Sequence, residues 1–461
     1  MTRQDALAEA GRRFDSGEFQ ALLARLVAIP STSQEPGQEA ALTAYLTEGL
    51  RPWLERLGFA VGIHPNPVPG FGPILVGRRI EDPSRPTILI YGHGDTVRGL
   101  EDQWSPGLHP WRLTARDGLW YGRGSADNKG QHALNLLALE CALAARGGRL
   151  GANVIVLIET AEERGSRGLW EFVAGHRELL AADALIASDG PRVMPEVPTI
   201  ATGTRGTFHF DLVVRLRSGG VHSGHWGGLT RDPAILLAHA LASLMDRNGR
   251  ILLRDWLPAQ GVPAAVKAVL AGCPVGGGGD AASIDEGWGE PGLTPAEKIY
   301  GWNSLIVLAM ISGRPENPVN AVAPDARAHC QIRYTVDTDP AVFVPALERH
   351  LAAHGLAEWV KVENAGIRMP ASRTAPDHPW VRFAAESMEK SLGRRVQIIP
   401  NASGGLPGHV FVEQLGLPLV WIPHSYNGCR QHGPDEHVIP AILREGLLAF
   451  TGIWWDLGDK L

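Results

Sequence analysis

Hydrophobic positions follow two different rhythms along the chain. In the first 190 residues and again near 420, short apolar runs are continuous, as in Thr87-Ile-Leu-Ile-Tyr91, Asn153-Val-Ile-Val-Leu-Ile158, Ala184-Leu-Ile-Ala187 and Leu419-Val-Trp-Ile422. Runs this short, β-branched and bounded by polar or turn residues predict strands covered on both faces, the pattern of a parallel sheet. Between these regions the period is two. Phe208, Phe210, Leu212, Val214 and Leu216 alternate with polar positions, and Ala328–Val336 alternates likewise, with Arg333 on the polar side. Period two leaves one face open and predicts a separate antiparallel sheet. An amphipathic helix is expected at Gln131–Arg146, and two more, near Asp232–Asp246 and Pro340–His354, would cover the alternating strands.

Composition narrows the class of protein. At 461 residues the chain is long enough for two cores, and 44% hydrophobic with 20% charged residues is an ordinary globular balance. A net charge of −6, without a basic run, argues against nucleic acid and anionic membranes as partners. No stretch approaches eighteen apolar residues, and Met1–Ala10 lacks an apolar signal core. Cys141, Cys273, Cys330 and Cys429 are scattered, without a Cys-x-x-Cys pair. Free thiols and a cytoplasmic location are the expectation. Gly276-Gly-Gly-Gly279 follows no strand and reads as a flexible loop, not a dinucleotide fingerprint.

The chemistry collects where the apolar strands end. Thr87–Tyr91 runs into His93-Gly-Asp95, whose side chains, two residues apart, point the same way. Asp127 lies in the turn Gly124-Ser-Ala-Asp127-Asn-Lys-Gly130. The strand through Ile158 leads to Glu162-Glu163, Ala184–Ala187 leads to Asp189, and the last strand leads through a loop to His432-Gly-Pro-Asp-Glu436. Strand carboxyl ends are where open α/β sheets place their sites. Two imidazoles among so many carboxylates suit a pair of divalent ions, whereas the acids alone would repel one another or take up protons.

In order and spread, these motifs resemble the dinuclear metallopeptidase family of carboxypeptidase G, aminoacylase, succinyl-diaminopimelate desuccinylase and the carnosinase-type dipeptidases. The resemblance implies an α/β fold: a mostly parallel-sheet sandwich forming a discontinuous catalytic domain, 1–203 and 369–461. An inserted α+β lid, 204–368, would carry the contact of a homodimer. It further implies that Asp127 bridges two metals, with His93 and Asp189 on one and Glu163 and His432 on the other. Asp95 would hydrogen-bond His93 and fix its tautomer, and Glu162 would be the general base. Zinc is the expected metal, with manganese or cobalt as alternatives. In relatives the peptide after this aspartate is cis, so a cis Asp127–Asn128 bond is expected.

The same resemblance assigns lid residues. His222, in Gly219-Gly-Val-His222-Ser-Gly-His225, would reach a partner's active site and polarise the scissile carbonyl, while Asn320 and Arg333 would grip a substrate carboxylate. Ser403 and Gly404 stand where relatives carry a Gly-Gly-Ser-Ile-Pro-like turn that contacts substrate. Here the order is Asn401-Ala-Ser403-Gly404-Gly405-Leu-Pro407, so the pocket need not be a standard dipeptide pocket. The expected activity is hydrolysis of an amide bond in a small substrate, a dipeptide or N-acyl amino acid. The alternatives are a non-peptide amide (N-carbamoyl or aryl) and, from another class, a non-catalytic binding relative, which would be expected to have lost a ligand or the base.

Overall fold

The computed structural model describes residues 1–276 and 282–459. Of the glycine run, Gly277–Gly279 lies outside the described residues. The chain divides into two compact units, one of residues 1–203, 272–283 and 374–461, the other of 204–271 and 284–373.

The first unit is built on an eight-stranded sheet. Its spatial order is Ala60–His64, Ile74–Arg79, Asn153–Glu159, Thr87–His93, Ala184–Ala187, Leu419–Trp421, Thr199–Ala201 and Gln397–Ile399. The continuous apolar runs are its middle, and Asn153–Glu159, Thr87–His93, Ala184–Ala187 and Leu419–Trp421 pair parallel. The Thr199–Ala201 and Gln397–Ile399 pair is also parallel, while the remaining pairings are antiparallel. Such strands need cover on both faces, and those four are buried almost throughout.

Helix Lys129–Ala145 corrects one expectation. It is not amphipathic: apart from Glu140 and Ala144, every residue is buried. The cause is its setting, because it packs against Thr87–His93 and against helices Arg3–Asp15, Glu18–Val27 and Pro440–Gly458. A helix covered all round keeps no polar stripe.

In the second unit, Ser304–Ser312, Asp325–Tyr334, Gly206–Arg215 and Val360–Met369 form an antiparallel sheet in that order. Register sets Phe208 opposite Ile332, Phe210 opposite Cys330 and Leu212 opposite Ala328. Helices Pro233–Leu244 and Phe343–Ala353 supply the cover, with Phe343 against Phe208. The second helix starts later than expected, since Pro340–Val342 is a separate 3-10 turn capped by Asp339.

One half-buried histidine of the first unit makes stability pH-dependent. His409, on helix Gly408–Leu415, stacks on Trp170, and burial holds its pKa at about 4 instead of 6.5. The unfolded chain therefore takes up this proton first. The contribution is complete above about pH 6.5 and is lost as pH falls toward 4. Relative to His409→Gln, the parent protein should lose on the order of 2 kcal/mol of unfolding free energy between neutral pH and pH 4. Urea denaturation at both pH values checks this, and identical pH dependence in the two proteins would contradict it.

Candidate metal centre

Parallel pairing brings the candidate ligands to one sheet edge. His93 is in register with Glu159, and Gly94 N–H donates to the Glu159 carbonyl at 2.8 Å, so both strands turn out at the same level. One turn carries Asp95 and the other carries Glu162 and Glu163. Ala184–Ala187, on the other side of Thr87–His93, delivers Asp189. Asp127 arrives from the Gly124–Gly130 turn, just before the N-terminus of helix Lys129–Ala145, where the helix dipole favours a negative charge. That turn needs its last glycine, because a Cβ on Gly130 would lie 2.1 Å from the Ser125 carbonyl oxygen. The Asp127–Asn128 peptide is cis.

Two imidazoles divide one carboxylate between them. His93 Nε2 lies 3.0 Å from Asp127 Oδ1, and His432 Nε2 lies 3.3 Å from Asp127 Oδ2. Asp189 Oδ2 is 3.8 Å from His93 Nε2, and Glu163 Oε2 is 3.2 Å from His432 Nε2. Atoms that share an ion at about 2.0–2.2 Å sit at such separations from one another. His93, Asp127 and Glu163 each offer a ligand atom within 4.8 Å of the others. Buried oxygens of Glu163 (Oε1) and Asp189 (Oδ2) have no hydrogen-bond donor. His432 takes a left-handed backbone, φ 64°, which is costly for a residue with a Cβ and is typical of functional turns.

Electrostatics agree with a site short of positive charge. Burial, reinforced by the Asp127 charge, pushes Glu163 up to about 7, and burial likewise raises Asp189 to about 7. Burial holds Glu162 well above the usual carboxylate range. Hydrogen bonds to Asp127 and Glu163 raise His432 to about 10. Burial alone would lower His93, but its bonds to Asp127 and Asp95 outweigh that and hold it well above its ordinary value. Divalent cations would supply the missing charge, so the donor set fits a metal pair.

The structure gives Asp95 a second task beside its contact with His93. His93 Nδ1 meets the backbone carbonyl of Asp95 at 3.0 Å, whereas the carboxylate stands 3.5 Å away. The carbonyl therefore sets the tautomer. The carboxylate also accepts from Ser33 Oγ (2.7 Å) and from the N–H groups of Glu162 (3.2 Å) and Glu163 (3.1 Å). It anchors the turn that presents both glutamates.

Three supporting residues escaped sequence reasoning. Ser33 is one. Asn128 is another: its Oδ1 faces the His93 N–H at 3.4 Å and His132 Nδ1 at 3.1 Å, and its Nδ2 donates to the Ser188 carbonyl at 3.0 Å. The third, Glu436, was visible in a motif but had no task.

A cavity of 360 Å³ opens over the cluster, lined by His93, Asp127, Glu162, Asp189 and His432, with Ser403, Gly404, Asn427 and Gln431 on its walls. A larger one of 830 Å³ elsewhere in this unit has no imidazole on its walls, so chemistry and not size selects the site.

The other candidates lie in the second unit. Strand Val221–His222 pairs with Ala321–Val322, and the Ser223 N–H donates to the Asn320 carbonyl at 3.0 Å, so His222 and Asn320 are neighbours. His222 is exposed, and its ring accepts from the Gly224 N–H at 3.2 Å. Arg333 is half-buried on Asp325–Tyr334, with Nε donating to Gln331 Oε1 at 3.1 Å.

A family model, "Peptidase family M20/M25/M40", matches residues 89–456, which include every candidate ligand. The chain belongs to this family. The cysteinylglycine-S-conjugate dipeptidase of Corynebacterium striatum is 30% identical over 422 residues, 86% of each chain. The beta-Ala-His dipeptidase of Homo sapiens is 32% identical over 468 residues, 96% of this chain and 90% of the relative. Among solved structures, the Saccharomyces cerevisiae dipeptidase Dug1p superposes with a TM-score of 0.76 at 21% identity, covering 100% of this chain and 99% of that one. Membership of this peptidase family makes the chain a metal-dependent hydrolase of amide bonds, with the mixed α/β fold its relatives share. No described helix is long and apolar enough to cross a membrane.

Proposed function

We propose that the chain hydrolyses dipeptides, with two divalent ions held as His93–Asp127–Asp189 and Asp127–Glu163–His432. The observation that carries this is the division of the Asp127 oxygens between His93 and His432. Bound ions, zinc first and manganese or cobalt as alternatives, would polarise the carbonyl and lower the pKa of water. Glu162, with Oε2 4.0 Å from His93 Nε2 and on the cavity wall, takes the proton of the attacking water and returns it to the leaving amine. Asp95 holds the Glu162 turn, and the Asp95 carbonyl orients His93. Asp95→Ala should therefore lower kcat more than it raises KM, with metal content retained, in steady-state assays.

Ser403 and Gly404, on the same cavity, contact the substrate. Asn320 and Arg333 bind its carboxylate, since the guanidinium fork suits bidentate pairing, and His222 stabilises the oxyanion of a partner's substrate. The 204–368 segment is the lid and carries the homodimer contact. Supporting this, Ser304–Ser312 is an edge strand with Ile306, Leu308, Met310 and Ile311 exposed. The protein works in the cytoplasm, consistent with four free cysteines.

The test is a screen of the metal-loaded protein against dipeptides, N-acyl amino acids, N-carbamoyl amino acids and aryl amides. Release of free amino acids from dipeptides alone is expected. Turnover confined to carbamoyl or aryl substrates would replace the dipeptidase reading with a non-peptide amidohydrolase, and no turnover with both ions bound would favour a binding relative.

A further inference from the structure

The turn that carries Asp127 is fastened by a single carboxylate from the far end of the chain. Glu436 is only 1% exposed, and its two oxygens accept four hydrogen bonds. Oε2 receives Arg123 Nη1 at 2.8 Å and the Gly124 N–H at 3.0 Å; Oε1 receives the N–H groups of Ala126 at 2.9 Å and Asp127 at 3.0 Å. Two further bonds run between the same segments. Arg123 Nη2 donates to the Gly433 carbonyl at 2.8 Å, and the Gly122 N–H donates to the Glu436 carbonyl at 3.0 Å. His432 belongs to the segment so tied.

The donor count explains why this position carries a carboxylate. Only an ionised carboxylate accepts on both oxygens, and burial of its charge is balanced by a guanidinium and three amides. A glutamine would turn an NH₂ toward donors, and an aspartate would be one methylene short. The bond to the Asp127 N–H sets the peptide from which the Asp127 side chain departs, and that side chain shows one oxygen to His93 and the other to His432.

We infer that Glu436 is a positioning residue for the Asp127 carboxylate and so sets the affinity of both metal positions at once. This rests on the two-ion reading above. His93 and His432 each serve one position, whereas Glu436, which holds no ion itself, serves both. Loss of an outer partner of this kind costs about 10–100-fold in metal affinity.

The test is calorimetric titration of the metal-stripped full-length protein with zinc, in the presence of a competing chelator. Parent protein, Glu436→Gln, Glu436→Asp, His93→Ala and His432→Ala are compared, with circular dichroism confirming the fold of each. The parent should bind two ions, and each histidine variant should keep one near its original affinity. Both dissociation constants should rise about tenfold or more in Glu436→Gln, and also in Glu436→Asp, which keeps the charge beside Arg123. Constants within twofold of the parent in either folded variant, even with a lowered melting temperature, would overturn the inference. So would failure of both variants to fold, which would assign Glu436 to folding alone. A parent protein that binds fewer than two ions would instead overturn the two-ion reading, whatever Glu436 does.

Discussion

Glu162→Ala is expected to lower kcat by about a thousandfold while both divalent ions stay bound. Positioned acid–base groups typically contribute two to four decades, and no other carboxylate on the cavity is free for the task in the proposed ligand scheme. Asp127, Glu163 and Asp189 face imidazoles as candidate ligands, and the Asp95 oxygens are taken by Ser33 and two backbone amides. Glu162 alone keeps its carboxylate toward the cavity without a ligand role. Glu162→Gln, close in shape but unable to take a proton, should fall as far as the alanine variant. Metal content by atomic emission and kcat at saturating dipeptide check both points. A variant that keeps both metals and near-parent kcat would remove Glu162 from the proton-transfer role.

Metal removal should have the larger effect, abolishing hydrolysis altogether. Chelation takes away the charge that the cluster requires, and the raised values of Glu163 and Asp189 indicate that protons would then occupy the acids. Added zinc, manganese or cobalt should each restore activity, because imidazole and carboxylate ligands accept all three. His93→Ala and His432→Ala should each reduce the bound metal toward one ion per chain. Fully active protein that contains no divalent metal would end the metallohydrolase reading.

The candidate ligand set was legible in the sequence for a local reason. Each candidate follows an apolar strand within a few residues, and parallel strands end at a common edge, so strand prediction alone groups His93, Glu162, Glu163 and Asp189. Asp127 was legible from the glycines around it, and His432 from the loop that leaves the last apolar strand, Leu419–Trp421. The two units were foreshadowed by the change from continuous to alternating hydrophobicity.

Tertiary structure decided which partner each polar group took. Sequence spacing set Asp95 beside His93, but packing sent the Asp95 carboxylate to Ser33 and the Glu162–Glu163 turn, leaving its carbonyl for the imidazole. Helix Lys129–Ala145 has residues of mixed polarity that suggest an exposed side. Yet neighbours drawn from both ends of the chain bury it, and there His132 bonds to the Tyr45 hydroxyl while Asn135 Oδ1 accepts from Trp454 Nε1. Glu436 lies more than three hundred residues from the turn it holds. Periodicity and strand ends are properties of neighbouring residues, so the sequence alone determined the elements and the chemical inventory. Buried hydrogen bonds form between whatever donors and acceptors packing brings within about 3 Å, so only the folded chain determined which groups orient the candidate ligands.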